Sequence, residues 1–209
     1  AIQSAQGSMS FLRSVFVGNR ALEEGGAIHH EDLGSLTIKQ SAFLENMGDL
    51  GGGIYLERNH EADLRNNIFV SNYPSHIHSK DEYDVNSHYN LFTGSETPVI
   101  PENDDENSIY GEPRFRRYTA NRRYDDDLRL HPDSPARDSG DPTIIDIEGT
   151  VADMGIYGGL NGDAFAYVDE DGDGLYDNWE QEHGLFSDPD AAQSDPDNDG
   201  LSNLAELPF

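Results

Sequence analysis

The chain has 209 residues, no cysteine, and 41 acidic against 13 basic residues, for a formal net charge of −28. That length allows one or two domains, and the charge excludes a nucleic-acid partner, whose phosphates it would repel, while favouring cations. Without cysteine there are no disulfides and no thiol chemistry, and no run is apolar and long enough to span a membrane.

Taken in order, Ala1-Ile2 lies 14 residues before Phe16 (16 − 2), much as Ile28 and Ile54 lie 15 before Phe43 (43 − 28) and Phe69 (69 − 54). The pair reads as the tail of a Gly-Gly-Ala-Ile word. The chain is therefore expected to begin inside a repeat unit, with further units and any export leader upstream. The word Ser14-Val15-Phe16-Val17-Gly18-Asn19 is followed by Gly25-Gly26-Ala27-Ile28. It returns as Ser41-Ala42-Phe43-Leu44-Glu45-Asn46, followed by Gly51-Gly52-Gly53-Ile54. It recurs as Asn67-Ile68-Phe69-Val70-Ser71-Asn72 and in a worn form at Asn90-Leu91-Phe92. The Phe-to-Phe steps are 43 − 16 = 27, 69 − 43 = 26 and 92 − 69 = 23. A period of this kind predicts a solenoid whose units bury their apolar faces only by stacking.

Within a unit, Met9/Phe11, Leu36/Ile38 and Ala62/Leu64 alternate with polar residues, the period of a half-buried strand. The Gly-Gly pairs and asparagines suit tight corners and would break a helix. Each unit is thus a coil of short strands, stacked about 4.8 Å from the next. The phenylalanines then form one internal column and Ile28, Ile54 and Ile77 another. Asn19, Asn46 and Asn72 can form an amide ladder at one corner. Glu57–Glu61 reads as a corner loop, Pro74 and the stretch from His76 to Glu82 as an irregular corner, and Thr97–Asp105 as a proline- and acid-rich solvent loop.

These words resemble a right-handed parallel β-helix of the pectate-lyase-like superfamily, with repeats similar to those of polymorphic outer-membrane proteins and related bacterial surface β-helices. The resemblance covers about the first hundred residues and implies the fold; that fold serves lyases, hydrolases, adhesins and stalks alike. Gly111-Glu112-Pro113-Arg114-Phe115, Ser134-Pro135-Ala136-Arg137-Asp138-Ser139-Gly140 and Ala152-Asp153-Met154-Gly155-Ile156-Tyr157 are similar to the terminal segment of many such proteins. They imply a closing coil, with Gly158 departing from the acid common there. Asp138 and Asp153 are expected to make turns rather than catalyse.

The tail carries the most specific motif. Asp169-Glu170-Asp171-Gly172-Asp173-Gly174-Leu175-Tyr176-Asp177-Asn178-Trp179-Glu180 fills a twelve-position calcium loop. Oxygen donors fall at positions 1, 3, 5, 9 and 12, a glycine turns at 6, and a backbone carbonyl serves at 7. Asp195, Asp197, Asp199, Gly200, Leu201, Asn203 and Glu206 repeat it after 195 − 169 = 26 residues. The expected metal ligands are therefore Asp169, Asp171, Asp173, Leu175 (carbonyl), Asp177, Glu180, Asp195, Asp197, Asp199, Leu201 (carbonyl), Asn203 and Glu206, holding two or more Ca2+ ions. Asp188 and Asp190 are candidate additional ligands. Only a short helix fits after each loop, the first stopped by Gly184, and no full helix fits before them. The pair resembles dockerin or thrombospondin type-3 repeats rather than paired EF-hands of the calmodulin kind. With metal bound, Trp179, Leu185, Phe186, Leu201, Leu204 and Leu207 are expected to form a small core.

Other candidates carry less. Arg114, Arg116, Arg117, Arg122, Arg123 and Arg129 either hold an acidic ligand or pair with Glu112, Asp125, Asp126 and Asp127. His76 and His78 share a strand parity and are expected at an outward corner, with His88 one coil on; His29-His30 faces both ways. Lys39 is outward, with no acid cluster in register, and Glu31, Asp32 and Glu57 are stacked carboxylates of the kind a hydrolase needs.

The sequence thus predicts an all-β chain. Coils of a parallel β-helix occupy residues 1–100, closing structure 101–165, and a tandem calcium module of loops and short helices 166–209. Its expected role is structural or adhesive, at the cell surface or outside the cell, with calcium and either carbohydrate or a neighbouring subunit as partners. A polysaccharide lyase or glycoside hydrolase and a dockerin-like plug are the alternatives.

Overall fold

The computed structural model describes residues 1–4, 7–31, 34–57, 61–80, 85–94, 99–100, 107–121, 126–146, 149–160, 162, 173, 175, 180, 183–185, 190–196, 198 and 200–206. Strands follow one another in threes: β1 (Ile2–Ser4), β2 (Met9–Leu12) and β3 (Val15–Val17), then β4 (Ile28–Glu31), β5 (Leu36–Lys39) and β6 (Ala42–Leu44). Next come β7 (Ile54–Glu57), β8 (Ala62–Arg65) and β9 (Ile68–Val70), then β10 (Ile77–Ser79), β11 (Val85–His88) and β12 (Leu91–Thr93). The short β13 (Val99–Ile100) and β14 (Ile109–Tyr110) extend two of the sheets. Each strand pairs in parallel with its equivalent one repeat away. The first sheet runs β1-β4-β7-β10-β13, the second β11-β8-β5-β2 and the third β14-β12-β9-β6-β3. This is a parallel β-solenoid.

Register places like on like. Ile2, Ile28, Ile54 and Ile77 align along the first sheet. Phe16, Phe43, Phe69 and Phe92 stack at 4.5, 4.9 and 5.2 Å between ring centroids. Tyr110 continues the column 5.8 Å from Phe92, so Ser108-Ile109-Tyr110 is a further copy of the word, 110 − 92 = 18 residues on. Val99–Ile100 pairs with Ile77–His78 inside the stretch expected to be a solvent loop. The Gly-Gly corners are explained by close approach between coils: a Cβ on Gly26 would land in the carbonyl of Gly52, and one on Gly52 in that of Tyr73.

Two polar ladders bind the corners. At the expected one, the backbone N–H and the amide of Asn19 donate to Asn46 Oδ1 at 3.0 and 2.9 Å. The same groups of Asn46 donate to Asn72 Oδ1 at 3.0 and 2.8 Å. Asn46 and Asn72 also donate to the carbonyls of Phe16 and Phe43. The other corner carries a second ladder through Ser14, Ser41, Asn67, Asn90 and Ser108.

Beyond the coils, β15 (Phe115–Arg117) and β16 (Asp127–Leu130) form an antiparallel pair. The described residues of 131–160 are mostly turns and bends, with one antiparallel bridge between Ile145 and Val151, and they reach the second corner. Gly155 N donates to Asn66 O at 2.7 Å, Asp141 N to Asn66 Oδ1 at 2.8 Å, and Arg13 to Gly158 O at 2.6 Å. Arg65 adds an ion pair to Asp141 at 3.1 Å. This part of the closing segment therefore straps the flank of the solenoid, holding residues from separate coils.

The chain divides into two compact units, Ala1–Gly162 and Asp163–Phe209. In the second, Leu175, Ala191 and Ala192 are buried with Leu185 and Leu204 against them. Leu201, expected in that core, is 51 % exposed; Trp179, Phe186 and Leu207 lie outside the described residues. Among the described residues no helix is long and apolar enough to cross a membrane.

Asn46→Ala leaves the two Asn19 donors and the Phe16 carbonyl without their partner inside the stack. Urea unfolding is expected to show a loss of about 2–4 kcal/mol for it, and a smaller loss for the half-buried Asn19→Ala. Equal, sub-kilocalorie effects at both positions would refute a structural role for the ladder.

Candidate functional site

In the tail, loop geometry begins with side-chain oxygens that accept backbone hydrogens. Asp173 Oδ1 accepts from Leu175 N at 2.8 Å, and its Oδ2 accepts from Ala192 N at 3.1 Å, tying the first loop to the segment before the second. Leu175 buries its side chain completely. At position 12 Glu180 is only 2 % exposed. Gly184 has φ +71°, and Leu185 N donates back to Glu180 O at 2.7 Å, the C-cap expected there. In the second loop Asp195 Oδ2 accepts from Gly200 N at 3.0 Å, while Asp195 Oδ1 is buried and has no hydrogen bond. Asn203 is buried, and its amide nitrogen donates to Ala191 O and Ser194 Oγ, which leaves the oxygen end for a cation. Asp169, Asp171, Asp177, Asp197, Asp199 and the Glu206 side chain lie outside the described residues. A buried carboxylate oxygen with no donor is costly. An all-oxygen donor set with an unsatisfied buried member is one that a hard divalent ion such as calcium fits.

Of the described arginines in the cluster, Arg116 and Arg129 turn inward, whereas Arg114 and Arg117 are exposed. Arg129 forms a two-pronged pair with Asp127, at 2.9 and 2.6 Å, and holds that carboxyl below its ordinary range against the effect of burial. Arg116 is buried and Arg114 reaches the Asp133 carbonyl. Arg122, Arg123 and Asp125 lie outside the described residues. Lys39 pairs with Asp63 at 3.0 Å, a diagonal neighbour on the next coil.

His76 is not the outward corner residue that its spacing suggested. It is fully buried beside Phe69 and Phe92, and its Nδ1 lies 3.0 Å from the Asn72 amide nitrogen. Burial pushes its pKa down to about 3, so it serves the stack as a neutral ring. His78 does face outward, stacked on Tyr55 at 5.5 Å, while His88 belongs to the second sheet. His29 and Glu31 come from β4 and Tyr55 and Glu57 from β7, all on the outer face of the first sheet, whereas His30 is buried. Asp32 lies outside the described residues.

Asp138, Asp146 and Asp153 meet in the strap. Asp153 accepts from Asp138 N at 2.8 Å, and Asp146 accepts from the N–H groups of Asp153 and Gly159. The Asp153 carboxylate accepts from the backbone of a turn, as expected; Asp138 takes part through its N–H and a φ of +52°. Burial, with Asp146 and Asp138 adding repulsion, pushes the Asp153 pKa up to about 7 against the help of Asp138 N and Arg137. Burial raises Asp146 as well. A raised folded-state value means the folded chain binds a proton that the unfolded chain releases near pH 4, so this contribution to stability falls as pH rises towards and through 7. At fixed calcium, the thermal midpoint should fall between pH 5.5 and 8.5 in the parent chain by more than in Asp153→Asn; parallel profiles would refute this.

No family model, curated protein or solved structure matches the chain.

Proposed function

We propose that the chain is a calcium-binding segment of an exported protein, with a structural or adhesive role at the cell surface or in an extracellular assembly. In this reading the solenoid is a right-handed β-helix of the pectate-lyase-like kind, acting as a stiff rod. The observation that carries the reading is the recurrence of one donor pattern after 26 residues (195 − 169), with Glu180 and Asp195 Oδ1 buried where ligands are called for. Asp169, Asp171, Asp173, Leu175, Asp177 and Glu180 would hold one ion, and Asp195, Asp197, Asp199, Leu201, Asn203 and Glu206 another. Bound calcium supplies the positive charge that lets nine clustered carboxylates (five plus four) share a small volume. The tail's small apolar core offers little other driving force for compaction. Loops of this kind in extracellular modules fill at about 10⁻⁴–10⁻³ M calcium, far above cytosolic levels, and this supports an exported location.

A carbohydrate-active enzyme is the second reading. The in-register pair Glu31 and Glu57 on the outer face of the first sheet favours it, since paired acids suit the cleavage of a sugar chain.

Calcium titration with circular dichroism and limited proteolysis tests the main reading. Adding calcium after chelation should protect residues 163–209 and leave the solenoid signal unchanged, with at least two ions bound by calorimetry. Glu180→Gln and Glu206→Gln should each weaken one binding event. A tail equally protected with chelator sinks the proposal.

A further inference from the structure

On β4 the outward residues are His29 and Glu31, two apart and so on one face; on β7 Glu57 stands directly in register with Glu31. Like charges in register on neighbouring strands repel. The arrangement persists with two flanking donors: Gln3 Nε2 donates to Glu31 Oε1 at 2.7 Å and Lys80 Nζ to Glu57 Oε1 at 2.5 Å. The His29 ring is set edge-on against Tyr55, with centroids 4.9 Å apart, and its side chain is only 14 % exposed. Its Nε2 is buried without a hydrogen bond. That atom lies 3.5 Å from Glu31 Oε1 and 3.9 Å from Glu57 Oε2. These separations are longer than an N–H···O bond. They suit ligands of one tetrahedral ion, whose edges are about 3.4 Å when its bonds are about 2.0–2.2 Å. The three donor atoms all lie within 4.8 Å of one another.

We propose that His29, Glu31 and Glu57 bind a divalent cation of the zinc class on the outer face of the first sheet. One imidazole nitrogen and two carboxylate oxygens are the borderline donor set such ions select, whereas calcium takes six to eight oxygens. Glu57 uses Oε2 and keeps Oε1 for Lys80; Gln3 and Lys80 orient the two carboxylates, as partners of metal ligands commonly do. The ion relieves the Glu31–Glu57 repulsion and joins two adjacent coils. Three protein ligands leave a fourth position for water or a ligand oxygen. The site is independent of the tail loops.

The test uses the full chain in excess calcium, so that the tail loops are occupied, titrated with zinc chloride by calorimetry and with cobalt(II) by visible absorption. The parent chain is expected to bind one zinc and to show the intense bands of tetrahedral cobalt. His29→Ala and Glu57→Gln should bind zinc about 100-fold more weakly and lose those bands. His131→Ala removes another histidine beside an acid, Asp133, and should behave as the parent. Urea midpoints measured with chelator establish that each variant is folded, and the conservative Glu31→Gln replaces any variant that is not. Absence of zinc binding in the parent overturns the proposal. So does zinc binding that His29→Ala and Glu57→Gln leave unchanged, or a weak octahedral cobalt spectrum.

Discussion

Every coil must reverse its direction within one or two residues, and the backbone does this by placing a single residue in the left-handed region. At the second corner these are Arg13, Gln40, Asn66 and Tyr89; at the Asn19 corner they are Gly18, Glu45, Ser71 and Gly94. Six of these eight are not glycine, and each such residue costs about 1–2 kcal/mol. After Arg13, Gln40, Asn66, Tyr89, Gly18, Glu45 and Ser71 the next residue is a ladder member, and its hydrogen bonds offset that cost. Each rung accepts the backbone N–H of the coil before it, so the strained corner and its satisfied donors form one unit. The corners thereby set the register from which the strand pairing and the phenylalanine column follow.

A stack organised in this way constrains its inside tightly and its outside hardly at all. Inner positions meet copies of themselves, so Phe43 fits because Phe16 and Phe69 flank it. The same register acts on the outer face without requiring sameness, aligning Gln3, His29, Tyr55 and His78 in one row and Glu31 with Glu57 in another. Functional groups can therefore be assembled from residues more than twenty positions apart without disturbing the core. The strap adds a check on this freedom, since its bonds to Arg13 and Asn66 clamp separate coils to a single segment.

The repeat made the solenoid legible: words of fixed spacing named the strands, the phenylalanine and isoleucine columns, and the Asn19–Asn46–Asn72 ladder. The second ladder was equally present as Ser14, Ser41, Asn67, Asn90 and Ser108, two residues before each aromatic. It escaped notice because serine and asparagine alternate in the role, and the shared property is an oxygen that accepts from the backbone rather than a residue name. Val99–Ile100 was hidden by the acids and prolines around it. His76 misled because its parity matches His78, yet it precedes the strand and sits at the corner, where the Asn72 amide claims it. Glu31 and Glu57 were legible as stacked carboxylates, but His29 was not joined to them, because i, i+2 and i+28 come together only through register. The tail is the opposite case. Its twelve-position pattern lies within single loops, so the proposed donor set is read from spacing alone, without the help of register.

Each of the two units has to accommodate the same surplus of negative charge. Forty-one acids face thirteen bases, a surplus of 28. The solenoid and its strap place bases where acids are most confined: Lys80 on Glu57, Lys39 and Arg65 on Asp63, Arg65 on Asp141, Arg129 on Asp127. Where the nearby base does not outweigh burial, as with Arg137 at Asp153, the neutral acid is favoured instead. Neither solution serves the tail, whose nine loop carboxylates are spaced to converge and cannot all be neutralised by protons near neutral pH. A divalent ion contributes two charges from one small volume and accepts several oxygens at once. For a chain with so few bases, the proposed calcium would be the counter-charge that lets these acids sit together in the folded state.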